Sequence, residues 1–436
     1  GGGGFVGQGM GVGGEEGEDE DVSAEAAFVA RLVRGDVSGA GADEESAATA
    51  INGFSAAAGL GGHGAANATG GNGIGGGYRE MDNPVAALSA TLPARRGALR
   101  EWPLVLLHLR KVYDAEPNAP PKVAVKSLSL AVRACECFGL LGVNGAGKTT
   151  TLKMVTGDEP ISGGDGFVVG CSINTEQHLA YRHVGLCSQQ DALIGKLSAR
   201  EHLTLFAALR GIPRAQAGPL ADSLVARVGL QRHAHRPAAA YSGGNKRKLC
   251  LAIALVGSPA LILLDEPSSG MDAAAKRSMW TAIRAHICET GASAVITTHS
   301  MEETEALCQR VGIMVGGRLK CLGTAHRLKS RFGDGYTAML RLSNDGPALD
   351  ATLELVRDWA AAAGPLRGCS VQEARGATVT LRMPSAAEGK PPALAELFFA
   401  LEAAREAVGI EAYSVTQASL ERVFLRIADG NTGDEA

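Results

Sequence analysis

The sequence predicts an α/β protein whose main domain is a mainly parallel, doubly wound sheet. Three observations carry that expectation. Apolar runs of strand length alternate with amphipathic, helix-length segments between residues 138 and 298, the order of a sheet covered by helices on both faces. The stretch Gly142-Val143-Asn144-Gly145-Ala146-Gly147-Lys148-Thr149-Thr150 fits the phosphate-binding pattern of Gly, four residues, then Gly-Lys-Ser/Thr. Leu261-Ile262-Leu263-Leu264 is an apolar strand that ends on Asp265-Glu266.

The chain has 436 residues, enough for about two or three domains. A net charge of −4 argues against nucleic acid as the main ligand. Nine cysteines lie without Cys-x-x-Cys spacing, which fits free or buried thiols in a reducing compartment. The N-terminus is glycine-rich and polar, unlike a secretory signal. The most apolar run, 249–264, is interrupted by Gly257-Ser258-Pro259 and is too broken to cross a bilayer. A chain that starts at Gly1 rather than Met is expected to be a fragment of a longer one.

Residues 1–100 are rich in Gly, Ala, Ser and acidic side chains, with few apolar groups to offset ordering entropy. They are expected to form a low-complexity, disordered linker. Within it, 22–34 can form a helix, because Phe28/Leu32 and Val29/Val33 are i,i+4 pairs and Gly35 could end it. That helix is either transient or a docking segment beside a neighbouring domain.

Order is expected from near Trp102. Residues 104–109 and 123–130 read as strands, separated by a proline-bounded turn at 117–121. Phe138-Gly139-Leu140-Leu141 enters the phosphate loop as a strand, and Thr150-Thr151-Leu152-Lys153-Met154-Val155 leaves it as a helix. Further helices are expected at 199–210, 219–228, 245–256 and 275–289, and buried strands at 261–265 and 293–298.

The texture changes near Tyr336. A strand at 336–342, a helix at 348–363, a hairpin of 369–374 with 377–383, a helix at 394–408 and a strand at 410–415 follow in turn. That order, β-α-β-β-α-β, is ferredoxin-like. A last helix at 419–427 would pack outside it. This unit is either a structural appendix or a regulatory module. The expected domains are therefore a linker at 1–100, a nucleotide-binding domain at 104–335, a ferredoxin-like α+β domain at 336–428 and a disordered tail at 429–436.

The loop glycines let backbone N–H groups turn inward toward an anion, and the helix behind them aims its N-terminus at phosphate. Lys148 would reach the β- and γ-phosphates, and Thr149 would bind Mg²⁺ through its hydroxyl. Asp265 suits an outer contact to Mg²⁺. Glu266, on the opposite side of the strand, could face the attacking water as general base or orienter, a role worth about 10²–10⁴-fold in rate. Tyr241-Ser242-Gly243-Gly244-Asn245 opens another helix and makes a second anion site. Two phosphate sites on one domain give it a reason to dimerise.

Ser242-Gly243-Gly244-Asn245, set between a phosphate loop and an Asp-Glu strand, resembles the signature motif of ATP-binding cassette (ABC) proteins. The resemblance implies an ABC-type P-loop NTPase domain with an antiparallel β subdomain and a helical subdomain. It implies that Gly142, Asn144, Gly145, Ala146, Gly147, Lys148, Thr149 and Thr150 hold ATP with Mg²⁺. Such domains pair head to tail, so that Ser242, Gly243 and Gly244 contact the ATP held by the other domain. Tyr113 looks like the aromatic that stacks on adenine, Asp272 like the D-loop aspartate, and His299 like the switch histidine that contacts γ-phosphate. Gln189 looks like the glutamine that senses Mg²⁺ and signals to the membrane domain, with Gln190 as the alternative.

The match narrows to the A subfamily through 138–148, Tyr241 to Leu249, Gly270-Met271-Asp272, Ser300-Met301-Glu302-Glu303, 328–336 and 414–424. The Tyr-Ser-Gly-Gly-Asn form most resembles the second, C-terminal cassette. Ser188 and Gln190 stand where Pro and Phe are typical, and Ala273 where Pro is common. The resemblance implies an ATP-hydrolysing cassette of an A-type transporter that moves lipid or another hydrophobic substrate. Its partners would be transmembrane domains and a second nucleotide-binding domain, at the cytoplasmic face of a membrane. Two other readings stand beside it. One is a soluble ABC ATPase that remodels a protein or ribonucleoprotein. The other is an ATP-binding clamp without hydrolysis, against which Glu266 speaks.

Overall fold

The computed structural model describes residues 19–34, 101–114, 121–333, 336–343, 354, 370–375, 377–382, 394–417 and 419–429. The larger sheet holds β1 (Leu104–Tyr113), β2 (Lys122–Val132), β3 (Cys137–Gly142), β4 (Gly163–Val168), β5 (Cys171–Ser172), β6 (Val184–Cys187), β7 (Leu261–Asp265), β8 (Ser293–Thr298), β9 (Arg310–Val315) and β10 (Arg318–Gly323). Their spatial order is β5-β4-β1-β2-β10-β9-β3-β8-β7-β6.

β9, β3, β8, β7 and β6 pair in parallel. β5, β4, β1 and β2 pair antiparallel, and β10 folds back antiparallel on β9. The sheet is therefore mixed: the parallel strands expected from the alternating pattern lie on one side, and antiparallel strands, as the family resemblance implies, lie on the other. The cause is local. β9 and β10 are joined through Gly316-Gly317, both at positive φ, the backbone of a tight hairpin. Hairpins of this kind need no crossover helix, so antiparallel strands collect on one side of the sheet.

The helices are α1 (Glu20–Arg34), α2 (Lys148–Thr156), α3 (Gln177–Ala180), α4 (Ala199–Leu209), α5 (Arg214–Arg227), α6 (Gly243–Ala254), α7 (Ala273–Thr290), α8 (Met301–Leu307), α9 (Ala325–Phe332), α10 (Leu394–Val408) and α11 (Leu420–Asp429). α4 starts in a capping box between Ser198 and Glu201, which satisfies two orphan amide donors. α5 starts five residues before Pro219, the residue at which the sequence places its first turn.

Strand β7 shows how the core is divided. Ile262 and Leu264 bury against α4 to α7, while Leu261 and Leu263 bury on the other face with Leu152, Met154 and Val155 of α2. The period of two along the strand sends successive side chains to opposite faces. Both faces are covered, so β7 is apolar throughout.

α1 lies on the antiparallel side, where Val29 and Leu32 bury with Trp102, Val105 and Ala131. A second sheet, β11 (Tyr336–Leu342), β12 (Ser370–Arg375), β13 (Thr378–Arg382) and β14 (Ile410–Gln417), is antiparallel in the order β12-β13-β11-β14. Leu401 of α10 buries against it. Except for residue 354, which is helical, the helix expected at 348–363 lies outside the described residues, as do most of the expected linker and tail. Leu420, Val423 and Phe424 of α11 pack into the larger domain against Leu141, Val311, Ile313 and Leu328.

Candidate nucleotide site

The phosphate loop connects β3 to α2. Gly147 caps α2 with φ 104, and a Cβ there would lie 2.5 Å from the Ala124 carbonyl oxygen. Only glycine combines that backbone with that close approach. Val143, Asn144 and Gly145 are exposed along the rim, Ala146 is buried beneath them, and Thr150 is half-buried in the first turn of α2.

Lys148 is buried, and its Nζ donates to the carbonyls of Gly142 at 2.7 Å and Val143 at 3.0 Å. Burial pushes its pKa down, while the carboxylates of Glu266 and Asp265 push it back up. Thr149 donates its hydroxyl to Asp265 Oδ1 at 3.3 Å, and Thr297 donates to the same oxygen. A hydroxyl beside a carboxylate is a hard-oxygen pair of the type that suits Mg²⁺.

Glu266 follows directly. Its backbone has φ 47, uncommon for a residue with a side chain, and its N–H donates to Thr297 O at 3.0 Å. The carboxylate sits between two groups. Gln189 Nε2 donates to Oε2 at 3.3 Å, and His299 Nδ1 lies 3.3 Å from Oε1. Glu266 is largely covered, whereas the His299 side chain is 65% exposed.

The structure thus joins Lys148, Thr149, Asp265, Glu266, Gln189 and His299 in one constellation. Between the two glutamines, Gln189 makes the contact to Glu266, and the Gln190 carbonyl accepts from the Ser188 hydroxyl. Tyr113, Asp272 and the Ser242-Gly243-Gly244 turn stand outside this hydrogen-bonded cluster among the described residues. Tyr113 ends β1 with Lys111 Nζ 4.8 Å from its ring centroid. Ser242 caps α6 by accepting from Asn245 N. Gly244 lies beside Met271, where a Cβ would be 3.9 Å from that side chain. Asp272 caps α7, and the amides of Ala275 and Ala274 hold its carboxyl below the usual range.

Two contributors escaped the sequence reading. Thr297 closes over Asp265 from the adjacent strand β8. Arg247, on α6, is buried among the backbone carbonyls of Ser188, Gln189, Asp265, Glu266 and Pro267. A signal for Arg247 existed. It shares the i, i+3, i+4, i+7 face with Cys250, Leu251 and Ala254, all buried. A charge on that stripe requires partners.

Residues 125–269 match the family model described as ABC transporter. The chain carries an ABC ATPase domain, as its phosphate loop, Asp-Glu strand and signature turn indicate. Over about three quarters of its length the chain is similar to members of ATP-binding cassette sub-family A. It is 45% identical over 330 residues to ATP-binding cassette sub-family A member 7 of Mus musculus, covering 76% of this chain and 14% of that protein. It is 43% identical over 331 residues to Phospholipid-transporting ATPase ABCA3 of Homo sapiens, covering 76% and 19%. It is 45% identical over 321 residues to ATP-binding cassette sub-family A member 2 of Homo sapiens, covering 74% and 13%. The chain thus spans less than a fifth of the length of these curated relatives. Among solved structures, the post-hydrolysis dimer of the ATP-binding cassette MJ0796 bound to ADP and Pi aligns with a TM-score of 0.47 at 21% identity, covering 51% of this chain and 98% of that one. No helix among the described residues is long and apolar enough to cross a membrane.

Proposed function

We propose that this chain is the ATP–Mg²⁺-hydrolysing cassette of an A-type transporter that moves lipid or another hydrophobic substrate. One observation carries the hydrolytic part. The Glu266 carboxylate is clasped by Gln189 and His299, one residue beyond the Asp265 that touches Thr149 of the phosphate loop. In this reading Thr149, Asp265 and Gln189 would hold Mg²⁺, which would supply charge neutralisation to the nucleotide's phosphates. The loop from Gly142 to Thr150 wraps the phosphates with its amides, and Lys148 adds a positive charge. Tyr113 stacks on the base. Glu266 orients the attacking water and accepts its proton, and His299 marks the γ-phosphate end of the site. Ser242, Gly243, Gly244 and Asp272 face the nucleotide of a second cassette.

The transport part rests on the A-subfamily likeness, which includes relatives named for phospholipid transport. In this reading the nucleotide-binding domain spans 104–335, a ferredoxin-like regulatory domain spans 336–428, and the segment before them links to membrane domains. The strand order β12-β13-β11-β14, with Leu401 of α10 buried against it, supports the ferredoxin-like reading. The cassette would work at the cytoplasmic face of the membrane.

The test is Glu266→Gln. Binding of ATP with Mg²⁺ should stay within a few-fold of wild type, while turnover should fall about 10²–10⁴-fold. Wild-type-like hydrolysis by that variant would remove the base assignment. Sequencing the gene upstream of this chain tests the transport part, because an open reading frame without membrane spans would sink it.

A further inference from the structure

The guanidinium of Arg247 is the most heavily engaged side chain near the site. Nε donates to Pro267 O at 3.2 Å. Nη1 donates to Ser188 O at 2.7 Å, Gln189 O at 2.9 Å and Asp191 Oδ1 at 3.3 Å. Nη2 donates to Asp265 O at 3.1 Å and Glu266 O at 2.7 Å. Five N–H donors thus meet six acceptors, and the residue is only 5% exposed. The acceptors belong to two segments distant in sequence, the Gln189 loop after β6 and the end of β7. The donor belongs to a third, the first half of α6, whose opening turn is Ser242-Gly243-Gly244.

We infer that Arg247 is a positioning residue that couples the signature turn to the hydrolytic geometry of its own domain. This inference rests on the ATPase reading above. Among the described residues, Arg247 makes no hydrogen bond to the phosphate loop or to the Glu266 carboxylate. It fixes the two backbone segments from which Gln189 and Glu266 reach each other across 3.3 Å. Glu266 has φ 47, so its peptide is held against its intrinsic preference, and the Arg247 bond to its carbonyl is one of the contacts that hold it. α6 begins at the turn that would meet a partner's nucleotide. A displacement of α6 on that contact therefore moves Arg247, and with it both carbonyls. Lysine cannot reproduce this role, because it carries three donors on one nitrogen instead of a planar fork of five.

The experiment compares Arg247→Lys and Arg247→Met with Lys148→Ala and Glu266→Gln in this full chain, using ATP with Mg²⁺. For Arg247→Lys, kcat should fall about 10–100-fold while KM and the equilibrium affinity for ATP stay within about threefold. Combined with Glu266→Gln, Arg247→Lys should add little further loss, because both act on one step. Hydrogen exchange should rise in peptides covering 186–191 and 265–269 and stay unchanged around 142–150. If Arg247→Met does not fold, Arg247→Lys still decides through these three readouts. An unchanged kcat, or a loss of kcat matched by an equal loss of ATP affinity, overturns the inference. Were Lys148→Ala also to retain ATP binding and turnover, the ATPase reading itself would fail. Failure confined to Arg247 would leave that reading intact.

Discussion

Glu266 holds a backbone conformation that costs a residue with a side chain about 1–3 kcal/mol, and its neighbours show what holds it there. Its amide is bonded to Thr297, its carbonyl to Arg247, and its carboxylate to Gln189 and His299. A different buried group sets a pH limit. His286 on α7 is 2% exposed, and burial, reinforced by the charge of Arg227, lowers its pKa from 6.5 to about 4. Between those values the unfolded chain binds a proton that the folded chain does not. Stability therefore rises with pH across this window and is lost on acidification. Urea unfolding at pH 4.5 and pH 7 should show a smaller acid loss for His286→Gln than for wild type; equal losses would contradict the assignment. Glu266, Asp265, Lys148 and His299 were legible in the sequence because their residue types stand at fixed places in a chemical pattern. Arg247 and Thr297 were not, because their work is hydrogen bonding across elements distant in sequence. Helical spacing reveals only that Arg247 must be buried.

At the scale of elements, α1 is the clearest departure from a local reading. Its isolated sequence offers only two i,i+4 apolar pairs, worth about 0.2–0.5 kcal/mol each. The structure adds tertiary contacts that no window of sequence contains. Val29 and Leu32 are fully buried, and Glu25 accepts from Ala131 N at 3.0 Å and pairs with Arg310 at 2.8 Å. Asp19 and Asp21 pair with Arg331 at 2.6 and 3.1 Å, and Asp21 with Arg327 at 2.6 Å. Leu32→Ala should therefore destabilise the whole domain by about 2–4 kcal/mol, read as a lower urea midpoint with unchanged slope. A midpoint shift worth less than about 0.5 kcal/mol would mean that α1 is a passive appendage. Strands β3, β7 and β8 were easy to read because burial on both faces writes a continuous apolar run. The early start of α5 was not, because Pro219 resembles a first-turn residue although a helical turn precedes it.

At the scale of the molecule, the phosphate loop and the signature turn present two open surfaces. Val143, Asn144 and Gly145 are exposed on one, and Ser242, Gly243 and Asp272 on the other. α11 packs against Leu141, beside the loop, and α1 packs beside Trp102 and Val105, so both helices rest on the domain that carries the site. A hydrolytic site must exclude bulk water around the reacting phosphate, and a single domain with an exposed loop rim does not. In the proposed reading a second cassette supplies the cover through its signature turn, and in the isolated chain only another copy can stand in for it. Turnover in the isolated chain is then limited by encounter. Well below the dimer dissociation constant, each tenfold rise in chain concentration should raise the rate per chain roughly tenfold, by mass action. If Glu266 is the base, Glu266→Gln should hold ATP without hydrolysing it, and should sediment as a dimer with ATP and Mg²⁺ and as a monomer without them. A rate per chain that is flat across concentration, from a species verified as monomeric, would mean that the site is complete within one chain.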